Sequence, residues 1–79
     1  MNINNHEIFE IISNKIKINI SELNLHSKIT DIQEWDSLAN LQIIMELEKK
    51  YKIKINFTEL ITVDQISDLV EIIKNKLKI

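Results

Sequence analysis

The stretch Glu34-Trp35-Asp36-Ser37-Leu38-Ala39-Asn40-Leu41-Gln42-Ile43-Ile44-Met45-Glu46-Leu47-Glu48-Lys49-Lys50-Tyr51 decides how this chain folds. Leu38, Leu41, Ile44 and Met45 recur at helical spacing, and Ile43 and Leu47 widen the apolar stripe. Asp36-Ser37 offers short polar side chains to the free N–H groups of a first turn. Lys49, Lys50 and Lys52 suit the negative end of a helix dipole. The pattern predicts a helix over 37–51 that buries Leu38, Leu41, Ile44 and Met45 in the core.

Upstream, Ile8, Phe9, Ile11, Ile12 and Ile16 mark an amphipathic helix over about 5–17, and Asn4 with Glu7 has the form of a capping box. Residues 18–36 lack a sustained period and read as a long ordered loop, with Ile29, Ile32 and Trp35 as apolar anchors and room for a helical turn. Such a long irregular segment in a compact domain usually serves function. Downstream, 57–61 has length for one helical turn. Thr62-Val63-Asp64-Gln65 reads as a capping box opening a last helix over 63–77, whose apolar face is Val63, Ile66, Leu69, Val70, Ile73 and Leu77. The expected fold is all-α: one domain over 1–79, a small bundle of three helices and a stub, with the long loop between helices 1 and 2.

Composition excludes much. With 79 residues, the chain buries only about 60–65 % of its unfolded surface, so its core is thin. The absence of cysteine removes disulfides and thiolate metal sites, and the absence of glycine removes glycine-rich phosphate loops. Without Gly or Pro, a sheet of tight hairpins is disfavoured. Net charge −2 gives no basic surface for nucleic acid. No stretch is long and apolar enough for a membrane span, and no basic leader precedes an apolar run, so a cytoplasmic protein is expected; a monomer is expected as well. Charge is uneven: residues 29–48 carry Asp31, Glu34, Asp36, Glu46 and Glu48 with no lysine, and Lys49, Lys50, Lys52 and Lys54 follow at once.

Catalytic constellations are sparse. His6 and His26 fit no metal spacing and read as solvated or loop-packed, so no metal site is expected. No base, nucleophile and oxyanion set is visible, so the chain does not read as an enzyme. By spacing alone Ser37 is either a helix cap or a modified serine, and the two are compatible because Asp36 can cap instead.

Asp36-Ser37-Leu38, with Leu41, Ile43, Ile44, Met45, Leu47, Glu48 and Tyr51 in register behind it, resembles the acyl carrier proteins. Ile53 and Ile55, and Thr62-Val63, also resemble that family's segments after its second helix and at its last one, so the likeness covers nearly the whole chain. The resemblance implies a 4′-phosphopantetheine arm, donated by coenzyme A and attached to Ser37 by a magnesium-dependent phosphopantetheinyl transferase. Asp36 and Leu38 are then the motif neighbours, and Asp36 would also help the transferase hold its metal. The physics agrees: a hydroxyl at a helix N-terminus is exposed, and a phosphodiester there meets free N–H groups and the positive dipole end.

On the same resemblance, the chain would hold acyl intermediates as thioesters and present them to acyl-loading and acyl-transferring enzymes. Glu34, Asp36, Leu38, Met45, Glu46 and Glu48 would dock those partners, and Leu41, Ile44, Ile61 and Val63 would border a cavity for the acyl chain. The sequence also departs from the fatty-acid-synthesis members. Ala39 and Gln42 stand where exposed acids are common, Lys49 and Lys50 replace an acidic pair, Trp35 replaces a glycine-containing approach, and the Ile55–Val63 segment is shorter. These departures imply a specialised carrier. The alternatives are a housekeeping fatty acid carrier, a peptidyl or D-alanyl carrier and, in another class, an unmodified helical interaction module.

Overall fold

A computed structural model describes residues 4–77. Four α-helices follow in order: α1 (Asn5–Ile16), α2 (Ser37–Tyr51), α3 (Phe57–Leu60) and α4 (Ile66–Leu77). Their apolar faces meet in one cluster in which Ile8, Ile12, Ile43, Leu47, Ile66 and Ile73 are fully buried. The fold is all-α, as the periodicities predict.

Local chemistry sets each helix end. Asn4 Oδ1 accepts the His6 N–H at 2.9 Å and opens α1. With no glycine available, α1 and α2 both stop on lysines in the left-handed region, Lys17 at φ 61° and Lys52 at φ 56°. Each such residue costs roughly 1–2 kcal/mol relative to the right-handed well, which the surrounding packing must offset. Glu48 steadies the chain after α2, because its Oε2 accepts the Ile55 N–H at 2.8 Å.

The loop over 18–36 is less free than its sequence suggests. It contains two short 3-10 turns, Ile20–Glu22 and Ile29–Asp31, and it is stitched to the start of α4. The Ile29 N–H donates to Asp64 O, the Ile66 N–H to Ser27 O, and the Ser67 N–H to Leu25 O, around an antiparallel bridge between Lys28 and Gln65. That pairing holds residues 63–65 out of the helix.

Two sequence expectations are therefore corrected. The last helix starts at Ile66 rather than Val63, and the capping box beginning at Thr62 does not form. Thr62 Oγ1 instead donates to Glu59 O, and the carboxylate of Asp68 accepts the N–H groups of Asp64 and Gln65, each at 3.0 Å. The core face of α2 also differs. Leu38, Leu41 and Met45 are 64 %, 56 % and 59 % exposed, and of the predicted four only Ile44 is buried. Ala39, Ile43 and Leu47 take the inner face with it, so Ala39 is not on the exposed side either.

Two carboxylates that organise α3 and α4 make stability sensitive to acid. The Asn56 N–H and then the Lys76 ammonium, 3.0 Å away, hold Glu59 below the usual carboxylate range. The N–H groups of Gln65 and Asp64 do the same for Asp68. A depressed folded pKa contributes stability that is complete above the unfolded value, about 4 for these groups, and lost as pH falls through the lower folded value. We expect the urea midpoint to fall below about pH 4. Glu59→Gln combined with Asp68→Asn should flatten that fall while lowering the midpoint at neutral pH. An unchanged acid slope in the double variant would refute this assignment.

Candidate functional site: the mouth of helix 2

Asp36 is the N-cap of α2, with extended backbone and Oδ1 accepting the Ala39 N–H at 2.8 Å. Its carbonyl accepts the Asn40 N–H at 2.9 Å. Capping by Asp36 puts Ser37 at the first helical position, where it is exposed. The N–H groups of Ser37 and Leu38 precede any intrahelical partner and are left facing the helix mouth. Asp36→Ala should cost about 1 kcal/mol, read as faster amide exchange in the first turn of α2; unchanged exchange there would overturn the capping role.

The approach to the serine is pinned from the other side by Trp35. It is 7 % exposed, its backbone N–H donates to Ile32 O, and its indole Nε1 donates to Asn40 Oδ1 at 2.9 Å. Trp35 is thus the packed loop anchor that its apolar spacing with Ile29 and Ile32 suggests.

Two clefts open beside Ser37. The first, about 250 Å³, is lined by Asp36, Ser37 and Asn40 together with apolar residues that include Ile44, Val63 and Leu69. The second, about 370 Å³, runs from Ser37 and Asn40 to Leu41, Phe57 and Ile61. Of the four residues predicted to border one cavity, Ile44 lines both clefts, Val63 the first, and Leu41 and Ile61 the second. The two clefts adjoin, sharing Ser37, Asn40, Ile44 and Leu60.

The six predicted docking residues are similarly divided. Glu34, Asp36 and Leu38 share a groove with Lys15 and Lys17, and Met45 and Glu46 lie further along with Lys49. Glu46 Oε1 is 4.0 Å from Lys15 Nζ, and Glu48 faces the other way, engaged with Ile55. Sequence reasoning missed Asn40, Leu60 and Phe57. Asn40 had a usable signal, since it lies one helical turn after Ser37 and so shares its face. Phe57 and Leu60 had none, because their place depends on where α3 docks.

The His6 and His26 side chains are exposed, and among the described residues no group of His, Asp and Glu is placed to hold a metal ion. Residues 6–73 match the family described as "Phosphopantetheine attachment site". The chain belongs to that family. The solution NMR structure of a holo acyl carrier protein from Geobacter metallireducens is similar to it, with TM-score 0.81 and 29 % sequence identity. The match covers 91 % of this chain and 83 % of that one. Like others of the phosphopantetheine-attachment family, the chain is a non-catalytic carrier of the acyl carrier type whose covalent group is 4′-phosphopantetheine. The mouth of α2 fits that group: an exposed hydroxyl, two outward amides and the positive end of a fifteen-residue helix. Among the described residues, no helix is long and apolar enough to cross a membrane.

Proposed function

We propose that Ser37 bears the phosphopantetheine arm and that the chain presents acyl intermediates to the enzymes of a specialised pathway. When bound, the arm supplies a terminal thiol, which takes acyl groups as thioesters and which a chain without cysteine cannot provide itself. The observation that carries the reading is the exposed Ser37 at the first position of α2, with both clefts opening beside it. Asp36 keeps the helix mouth formed and leaves its second carboxylate oxygen for the transferase's magnesium. The Ser37 and Leu38 N–H groups hold the phosphodiester, and Leu41, Ile44, Ile61 and Val63 shelter the apolar part of the cargo.

Docking falls to Leu38 and Met45, exposed on the outer face of α2, together with Glu34, Asp36 and Glu46. Few acids on that face are unengaged. Glu46 lies beside Lys15, Lys49 is exposed nearby, and Glu48 is turned away from that face to accept from Ile55. Exposed ion pairs chiefly set association rate and partner choice. A face this poor in free acids suits partners other than those that read an acidic helix, which supports a specialised pathway over housekeeping fatty acid synthesis. We place the carrier in the cytoplasm as a monomer.

Incubation with coenzyme A, magnesium and a broad-specificity transferase tests the central point: intact protein should gain the mass of one phosphopantetheine. No gain would favour an unmodified helical interaction module.

A further inference from the structure

Asn40 stands between the two clefts. It lines both, as do Ser37, Ile44 and Leu60, but it is the only one of these whose side chain is an amide. The identity of its terminal atoms is fixed by chemistry, since an indole N–H can only donate and its partner must be Oδ1. The Nδ2 group, with two N–H donors, makes no hydrogen bond among the described residues and is not sealed from solvent. Asn40 is half-buried, and apart from Ser37 the residues that share the second cleft with it are apolar: Leu41, Ile44, Phe57, Leu60 and Ile61. A donor in such a setting gains from an acceptor and loses when an alkyl group displaces its water.

We propose that Asn40 is a specificity-determining residue: its Nδ2 donates to an oxygen on the acyl group, so the clefts favour acyl chains bearing a hydroxyl or carbonyl near the thioester over saturated ones. Trp35 is the positioning residue, because its indole fixes which end of the amide faces the cleft. This rests on the attachment of the arm at Ser37. The donor could instead meet a carbonyl of the arm itself, and the two sources are separable.

The test uses apo protein loaded from coenzyme A thioesters into three forms: the arm alone, a saturated acyl group, and the β-hydroxyacyl group of the same length. The side-chain amide resonances of Asn40 and the indole N–H of Trp35, the only tryptophan, report the contact. Cleavage of the thioester by hydroxylamine, which takes the acyl group as its hydroxamate and leaves the free thiol on the arm, reports shelter. We expect the Asn40 amide to shift in the β-hydroxyacyl form alone, and that form to be sheltered about 3- to 10-fold better than the saturated one. Asn40→Asp keeps an acceptor for Trp35 but removes the donor, and should abolish the difference while leaving the Trp35 indole resonance downfield.

Equal shelter of the two acyl forms would overturn the proposal. So would a difference that persists in Asn40→Asp, or an Asn40 shift already complete with the arm alone, which assigns the acceptor to the arm. Failure to load any form on Ser37 would instead overturn the underlying reading, and the intact mass distinguishes that result.

Discussion

Ser37→Ala will abolish the phosphopantetheine mass gain completely while leaving the fold intact. The hydroxyl is the only group removed, and it belongs to an exposed residue at the first turn of α2. The cap survives, because the first-turn N–H of Ala39 is met by Asp36 and not by the serine. Alanine is also the best helix former, so stability should change by no more than about 0.5 kcal/mol. Loss of modification without loss of stability separates a chemical role from a capping one. The measurement is intact mass after transferase treatment, paired with urea unfolding. Persistence of the mass gain would move the arm to Ser13, Ser21, Ser27 or Ser67 and remove the basis for everything proposed about the clefts.

The second large effect concerns stability. Leu47→Ala should cost about 2–5 kcal/mol, since Leu47 is fully buried among the aliphatic side chains of the core. A chain of this length has only about 4–12 kcal/mol in total, so the variant should be largely unfolded at physiological temperature if it lies near the lower end. Leu38→Ala removes as many atoms from the same helix yet should cost less than about 0.5 kcal/mol, because the side chain is 64 % exposed. It should instead slow transferase loading by about 5- to 30-fold, as removal of a central apolar contact from an interface does. Urea titration and loading rates on the same two proteins check both halves. Equal destabilisation by the two substitutions would mean that α2 is rotated from the orientation described.

That pair of leucines also shows what was legible. Leu38, Leu41 and Met45 have a spacing as regular as that of Ala39, Ile43 and Leu47, and they are the bulkier set, so periodicity favoured the wrong face. The motif Asp36-Ser37-Leu38 was readable because its chemistry is local: a cap, an exposed hydroxyl and a helix mouth need only adjacent residues. Trp35 was readable as an anchor, but its hydrogen bond to Asn40 was not, since nothing in the order of residues says which way the indole N–H turns. The capping box at Thr62 failed for a different reason. Its backbone is claimed by the long loop through Ile29, Lys28 and Ser27, thirty-odd residues away in sequence, and Asp68 takes over the capping.

The sequence by itself determined the number of helices, the ends of α2, the thinness of the core, the position of the candidate serine and the absence of thiol chemistry. All of these follow from interactions within a few residues or from composition. Only the tertiary structure decided which side of α2 faces inward, where α4 begins, and that Asn40 and Leu60 line the adjoining clefts beside Ser37. A helix with apolar residues on two faces has no internal preference for either. The choice is made by the rest of the core, in which Ala39, Ile43, Ile44 and Leu47 are buried in one cluster with Ile8, Ile12, Ile66 and Ile73 while Leu38 and Met45 stay exposed.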